Sequence, residues 1–207
     1  MRIDAVDLSV ARGPRTVVSD LSFHVDAGES LGVSGPNGAG KTSLLRCLAT
    51  LLRPSGGALQ ILGADAMGSG ARGIRRRIGF VGHAPALSPH LTLSENLAFV
   101  ARLADKPVSR TGEVLALVGL GKLGDLRAGA ASQGMARRVD LARVLLTEPE
   151  LLLLDEPWAG LDAGATGIIE ALVDRTTDRG GAAVVVTHDP ERAASAVTRH
   201  LPLEGAS

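Results

Sequence analysis

Two kinds of hydrophobic pattern follow one another along the chain. Apolar and polar positions alternate over 3–10 and again over 16–25, with the turn-forming sequence ARGPR between them. Such alternation is typical of strands that bury one face, so it predicts an antiparallel β subdomain at the N-terminus. Later, runs that are apolar throughout, such as 151–154 and 182–186, alternate with helical patterns. Buried strands joined by helices predict a mainly parallel α/β sheet that is covered on both faces.

A long segment without strand patterns interrupts this alternation. From about 88 to 130 the pattern is helical, and Thr92 and Glu95 have the spacing of a capping box. An amphipathic helix follows at 132–147. We therefore expect one domain over 1–207, with a core of about 1–87 and 131–207 and a helical subdomain inserted at about 88–130.

Composition excludes several classes of protein. The 207 residues include 22 basic and 22 acidic side chains, so the formal net charge is zero. A neutral chain lacks the basic surplus that recruits nucleic acid, so we expect no nucleic-acid partner and interpret the ARGIRRR cluster at 71–77 as a solvated helix face. Cys47 is the only cysteine, which excludes an intramolecular disulfide and indicates a reducing compartment. Since no run of about 18 apolar residues occurs, we expect a soluble cytoplasmic domain.

A glycine-rich bend between an apolar strand and a helix carries the first chemical signal. Residues 35–42 read GPNGAGKT, which matches the phosphate-binding pattern G-x-x-x-x-G-K-[ST] in the context that it requires. The glycines allow backbone N–H groups to form an anion nest at the positive end of the helix. Lys41 adds a charge for the β- and γ-phosphates, and the Thr42 hydroxyl is a hard oxygen ligand for Mg²⁺. The predicted binding residues are Gly35, Pro36, Asn37, Gly38, Ala39, Gly40, Lys41, Thr42 and Ser43.

Polar residues also follow two apolar strands late in the chain. The run 151–156 ends in Asp155 and Glu156, and the segment GAAVVVTHD places His188 just after another strand. Because ligands collect at the carboxyl ends of parallel strands, we expect these residues to lie close to the phosphate loop. Asp155 is predicted to bind Mg²⁺ directly or through water, Glu156 to polarise the attacking water, and His188 to contact the γ-phosphate.

The order and spacing of several motifs resemble those of the ATP-binding-cassette (ABC) ATPases. The motifs are GPNGAGKT, ASQGMARRVDLARVLL, LLLLDEP, AGLD and VVVTHD, and they extend over essentially the whole chain. The short length and the segments GFVGHAPAL and LTLSENL are most similar to the ATPase subunits of heme exporters in cytochrome c maturation, with other exporter ATPases as the alternative. The resemblance implies an α/β fold with a P-loop NTPase core, ATP and Mg²⁺ as ligands, and ATP hydrolysis that powers export.

The resemblance also implies that two copies of the chain act together. Ser132 and Gly134 match the signature motif, which reaches the γ-phosphate of ATP on the other subunit, and Asp162 matches a loop at the dimer interface. Lys41, Glu156 and His188 would be the catalytic residues of this homodimer. A transporter role requires separate integral membrane permease subunits, so the expected location is the cytoplasmic face of the inner membrane.

Some positions depart from the family pattern. His83 stands where the family has a glutamine that contacts Mg²⁺ or the attacking water, and we expect it to keep that role through a ring nitrogen. Arg12 aligns with an aromatic residue that stacks on adenine, and its planar guanidinium is predicted to replace that ring. Arg137 and Arg138, after the signature, are interpreted as solvated charges, and Trp158 as a packing residue.

Two rival functions are disfavoured by the sequence. A non-transport relative in DNA repair, chromosome structure or translation would carry zinc cysteines, a long coiled coil or a second cassette. A regulatory subunit that binds ATP without cleaving it would not need both Glu156 and His188. Among transporters, the motifs are shared by exporters of heme, lipids, drugs and ions, so they do not identify the cargo.

Overall fold

The computed structural model describes residues 1–161, 165 and 167–204. These residues form two compact units. The first unit contains Met1–Phe80, Pro149–Pro157 and the segment from Val173 onward, and the second contains Val81–Glu148 and Trp158–Leu172. The predicted helical segment at 88–130 lies inside the second unit, which extends beyond it on both sides.

The described strands and helices follow the predicted alternation. The strands are β1 (Ile3–Arg12), β2 (Arg15–Val25), β3 (Ser30–Ser34), β4 (Gly56–Ile61), β5 (Ala64–Asp65), β6 (Ile78–Val81), β7 (Leu151–Asp155), β8 (Ala182–Thr187) and β9 (Arg199–Pro202). The helices are α1 (Lys41–Leu48), α2 (Ala71–Ile74), α3 (Leu93–Leu103), α4 (Arg110–Leu117), α5 (Gln133–Thr147), α6 (Gly167–Asp178) and α7 (Pro190–Ala193).

The N-terminal strands form an antiparallel sheet, as predicted. Its strand order is β2-β1-β4-β5, and β1 pairs with both β2 and β4 in antiparallel register. Ile3, Ala5, Leu8 and Val10 of β1 are buried, and the positions between them are partly or fully exposed. The spacing of three between Ala5 and Leu8 coincides with a shift in the pairing of β1 with β2. The alternation in the sequence is therefore explained by the burial of a single face.

The second sheet contains the strands whose sequences are apolar throughout. Its order is β6-β7-β8-β3-β9, and the pairs β7–β8, β3–β8 and β3–β9 are parallel. Every residue of β7 and β8 is buried, as expected for the central strands of a parallel sheet. This register brings the ends of β3, β7 and β8 to one edge, so the residues that follow them become neighbours.

The second unit is built mainly from α3, α4 and α5. The predicted capping box is present: the Thr92 hydroxyl accepts from the amide of Glu95, and the Glu95 carboxylate accepts from the amide of Thr92. Leu93, Leu97 and Ala101 form the buried face of α3 at helical spacing. The chain therefore begins this helix where the sequence predicts.

The arginine cluster at 71–77 is a solvated surface that also contains an ion pair. It forms the four-residue α2 followed by a 3₁₀ turn at Arg75–Arg77 rather than one longer helix. Arg77 donates to both carboxylate oxygens of Glu150, at 2.6 and 2.8 Å, and Arg2 donates to the same carboxylate at 2.8 Å. These contacts lower the pKa of Glu150, chiefly through the hydrogen bonds from Arg77. The side chain of Arg77 remains 40% exposed, so the cluster is a solvated surface in which Arg77 also forms an ion pair.

Candidate functional site

The glycine-rich bend connects β3 to α1 in a conformation that depends on its glycines. Gly38 and Gly40 have φ of 86° and 93°, in the left-handed region that disfavours other residues. A Cβ atom on Gly40 would lie 2.5 Å from the Val17 carbonyl oxygen, and one on Gly35 would lie 2.3 Å from that of Leu203. Side chains at these two positions would therefore displace the backbone of the loop.

The N-terminus of α1 lies at the end of this loop. No side chain caps it, and its first turn contains no acidic residue, so the amide groups of that turn retain their preference for an anion. Lys41 is 8% exposed, and its ammonium donates to the carbonyl oxygens of Gly35 at 2.6 Å and Pro36 at 2.9 Å. The loop thus concentrates positive charge and N–H donors around one turn of backbone.

The structure brings Thr42 and Asp155 together, although 113 positions separate them in sequence. The Thr42 hydroxyl donates to Asp155 Oδ1 at 3.3 Å, and Asp155 is buried at the end of β7. A hydroxyl and a carboxylate are oxygen ligands of the kind that Mg²⁺ prefers, together with phosphate oxygens and waters. Among the described residues, no group of three or more His, Cys, Asp or Glu side chains could by itself hold a metal ion. A cation here would therefore depend on the substrate and water for much of its coordination.

Glu156 is held by the last residue of β8 and by the residue directly after it. Its backbone has φ of 46°, an uncommon conformation for a residue other than glycine. Glu156 Oε1 lies 2.8 Å from His188 Nδ1, and Oε2 accepts from the Thr187 hydroxyl at 3.2 Å. The Thr187 hydroxyl accepts in turn from the amide of Asp189 at 3.0 Å. The hydroxyl thus accepts from the backbone on one side and donates its single proton to Glu156 on the other.

Thr187 is a candidate site residue that the motifs do not identify. It is buried at the last position of β8, where it pairs in register with Ser34 of β3. The signal in the sequence is a hydroxyl residue directly before His188 at the end of an otherwise apolar strand. Lys41, Thr42, Asp155, Glu156 and His188 all belong to the first unit together with Thr187.

The signature residues lie in the second unit, at the N-terminus of α5. Ser132 is the N-cap, and its hydroxyl accepts from the amide of Met135 at 3.2 Å. A Cβ atom on Gly134 would lie 2.9 Å from the Gly160 carbonyl oxygen. Within the second unit, the close approach that Gly134 permits is therefore to the turn at Gly160. Asp162, the residue predicted at the dimer interface, lies outside the described residues.

Four further residues that the sequence singles out differ in their exposure to solvent. His83 is exposed in the loop after β6, in the second unit. Arg12 is exposed at the end of β1, where it pairs in register with Arg15 across the hairpin turn. Trp158 is buried, in agreement with its predicted packing role. Arg137 is also buried, and its interpretation as a solvated charge is wrong: the guanidinium donates to the Gly82 carbonyl oxygen.

Comparisons with known proteins agree with the geometry of the phosphate loop. The protein-family model described as ABC transporter matches residues 18–159. The chain is 42% identical over 205 residues to the cytochrome c biogenesis ATP-binding export protein CcmA of Xanthomonas axonopodis pv. citri, with 98% of this chain and 94% of that protein covered. It is 40% identical over 182 residues to CcmA of Rhodospirillum rubrum, with 88% and 78% covered.

Solved structures give the same family. An ATP-binding subunit of an ABC transporter superposes with a TM-score of 0.88 at 26% identity, covering 99% of this chain and 86% of the other. The ATP-binding cassette MJ0796, solved as a dimer in a post-hydrolysis state with ADP and Pi, superposes with a TM-score of 0.87 at 25% identity over 98% and 94% of the two chains. In the part of the chain that the structure describes, no helix is long and apolar enough to span a membrane. The chain belongs to the ABC transporter family and is an ATP-hydrolysing, nucleotide-binding subunit.

Proposed function

We propose that this subunit hydrolyses ATP with Mg²⁺ as a homodimer and powers export by separate membrane subunits in cytochrome c biogenesis, with heme as the cargo. The observation that supports the catalytic part is the convergence of Thr42 with Asp155 and of Glu156 with Thr187 and His188. Asp155 and Thr187 are the last residues of β7 and β8, and Glu156 and His188 directly follow them. Thr42 lies in the first turn of α1, directly after the phosphate loop.

Binding of the triphosphate is assigned to the loop and α1. The backbone amides of 35–43 and the Lys41 ammonium would neutralise the β- and γ-phosphates, and Lys41 would exchange its two loop carbonyl partners for phosphate oxygens. Thr42 and Asp155 would hold Mg²⁺. When bound, the cation supplies charge neutralisation to the phosphates. Arg12 would stack on adenine with its exposed guanidinium plane.

Hydrolysis is assigned to Glu156. Its carboxylate would accept a hydrogen bond from the attacking water and so orient the water toward the γ-phosphorus. The Thr187 hydroxyl holds one carboxylate oxygen, and His188 lies against the other. When ATP enters, His188 would turn from Glu156 to the γ-phosphate, which leaves Oε1 available for water. His83, from the second unit, is proposed to sense the cation or the water.

Completion of the site is assigned to a second copy of the chain. Ser132, Gly134 and Asp162 would contact the γ-phosphate and the interface from the opposite subunit, in a two-fold symmetric pair. The relative MJ0796 was solved as a dimer with ADP and Pi, which supports this arrangement. ATP would bridge the two copies, and loss of the γ-phosphate would release them.

The export role rests on the named relatives. Four curated proteins at 41–42% identity are named cytochrome c biogenesis ATP-binding export protein, and heme is the cargo we assign to this chain by that likeness. Phe99 and Leu103, one turn apart on α3, are 56% and 59% exposed, and they are suitable for contact with a membrane permease subunit. The subunit would then act at the cytoplasmic face of the inner membrane. ATPases that serve other exporters are the alternative.

ATP turnover of purified protein tests the catalytic assignment. We expect Mg²⁺-dependent hydrolysis by the wild-type chain and a loss of at least about 100-fold in Glu156→Gln, because general-base assistance contributes on that order. Glu113→Gln is the matched control, since this carboxylate is 59% exposed on α4. Equal rates in the wild type and Glu156→Gln would contradict the assignment. The cargo requires a separate test. Membrane proteins that copurify with this subunit should export heme only when the subunit is present.

A further inference from the structure

A buried arginine on the signature helix contacts the loop that contains His83. Arg137 is 2% exposed, and its Nη1 donates to the Gly82 carbonyl oxygen at 2.5 Å. A buried guanidinium is costly unless its donors are used, and a hydrogen bond from a charged donor is stronger than one between neutral groups. The residue that accepts this bond is directly before His83 in the chain.

A second buried polar side chain contacts the other end of the same loop. Asp140, three residues after Arg137 on α5, is fully buried, and its Oδ1 accepts from the amide of Ala86 at 3.4 Å. Arg143 holds the same oxygen with two nitrogens, each at 3.0 Å. Residues three apart lie on the same face of a helix, so α5 fixes the loop on both sides of His83.

The same helix begins at the signature. Ser132 is the N-cap of α5, and Arg137 and Asp140 lie in its second and third turns. An α-helix is rigid over this length, because each turn is closed by backbone hydrogen bonds. A displacement of the N-terminus of α5 would therefore be transmitted to the loop at 82–86 through two hydrogen bonds, with no intervening flexible segment.

We propose that Arg137 and Asp140 are positioning residues that fix His83 and couple its loop to the signature end of α5. This inference rests on the proposed function, in which His83 serves the nucleotide of its own subunit and Ser132 that of the other. Engagement of Ser132 by the second copy would then set the position of His83. Neither arginine nor aspartate contacts the nucleotide in this account; they act through the backbone of Gly82 and Ala86.

A double-mutant cycle on ATP turnover separates positioning from general stabilisation. The variants are Arg137→Met, His83→Ala and their combination, with Arg137→Lys as the conservative replacement that retains a charged donor. Arg110→Met is the matched control, because it removes an ion pair with Glu148 elsewhere in the second unit. We expect Arg137→Met and His83→Ala each to lower kcat about 10-fold, the effect typical of residues that orient a ligand, with no further loss in the combination. Arg137→Lys should recover part of the rate.

A second readout needs neither nucleotide nor activity. Amide hydrogen exchange in 82–86 should accelerate in Arg137→Met and in Asp140→Leu, because each variant removes a hydrogen bond between α5 and this loop. Exchange in this loop should be unchanged in Arg110→Met. Exchange in Arg137→Lys should stay close to that of the wild type. This measurement remains decisive where Arg137→Met turns over too slowly to assay.

These results either support or contradict the positioning role of Arg137 and Asp140. Losses that multiply in the combined variant, or unchanged exchange in 82–86, would overturn the positioning role. A wild-type rate in His83→Ala would overturn it as well, since there would be nothing to position. Equal rates in the wild type and Glu156→Gln would instead refute the proposed function. Non-additive losses together with faster loop exchange would establish the coupling.

Discussion

The carboxylate of Glu148 provides a quantitative test of how the second unit is stabilised. Glu148 ends α5 in a left-handed conformation, and its side chain is 17% exposed. Lys106 donates to one carboxylate oxygen at 3.0 Å, and Arg110 donates to the other at 3.1 Å. The three residues thus connect the end of α5 to the start of α4 and to the turn before it.

The expected magnitude follows from the ionisation of this group. Burial acts to raise the pKa of Glu148, but the hydrogen bonds and charges of Arg110 and Lys106 outweigh it and lower the pKa from 4.5 to about 2. A difference of this size corresponds to about 3 kcal/mol in the free energy of unfolding, and partial solvent screening reduces it to about 2 kcal/mol. We therefore expect Glu148→Gln to destabilise the protein by about 2 kcal/mol at pH 7.

The sign of the pH dependence is determined by the lowered pKa. A carboxylate with a lower pKa in the folded state stabilises the protein above its unfolded pKa, and this contribution is lost as the pH falls from 4.5 toward 2. Urea denaturation of the wild type and Glu148→Gln should therefore show a difference that is large at pH 7 and markedly smaller at pH 3. Glu113→Gln, which removes a partner 3.9 Å from Arg110, should change stability little. A difference between wild type and Glu148→Gln that stays constant over this range would show that ionised Glu148 does not stabilise the folded state.

Three further substitutions test the site. Thr187→Val should lower kcat about 10- to 100-fold with little change in ATP affinity, because Glu156 loses its orienting hydroxyl. Thr187→Ser should retain most of the rate, and equal rates in the two variants would contradict this role of the hydroxyl. Gly40→Ala should show no ATP binding in calorimetry, because its Cβ atom would lie 2.5 Å from a carbonyl oxygen. Gly38→Ala has open space around its Cβ atom, so it should bind ATP measurably, but more weakly than the wild type because of its positive φ. Arg12→Ala should weaken ATP binding several-fold, because the adenine loses the guanidinium on which it stacks. Arg15→Ala, at the position paired with Arg12, should not weaken it. Unchanged affinity in Arg12→Ala would exclude stacking on this residue.

The sequence predicted those parts of the fold that depend on local patterns. Continuous apolar runs identified β7 and β8, and alternation identified the N-terminal sheet, because burial of one or both faces is recorded directly in the order of residues. The phosphate loop could also be predicted from the sequence, because the positive φ of Gly38 and Gly40 requires glycine at these positions.

Contacts between distant segments were harder to predict. The burial of Arg137 could not be inferred from its neighbours in sequence, because an arginine on a helix is normally solvated. Its guanidinium donates to the carbonyl oxygen of Gly82, 55 residues away, and a contact over that separation leaves no local pattern. The ion pair of Arg77 could not be inferred either, because its partner Glu150 lies 73 residues later in the chain. The motifs did not identify Thr187 because its partner Glu156, directly after the adjacent strand β7, lies 31 positions earlier in the chain.

Complementation between two inactive variants tests most directly whether each site is completed by a second copy. Lys41→Ala damages the phosphate loop and Ser132→Arg damages the signature, so each variant alone should be inactive. In an equal mixture, half of the pairs would contain one copy of each variant, and each such pair would have one intact site out of two. We therefore expect recovery of about a quarter of the wild-type ATPase rate. A mixture no more active than the separate variants, under conditions in which mixed pairs are shown to form, would contradict the account.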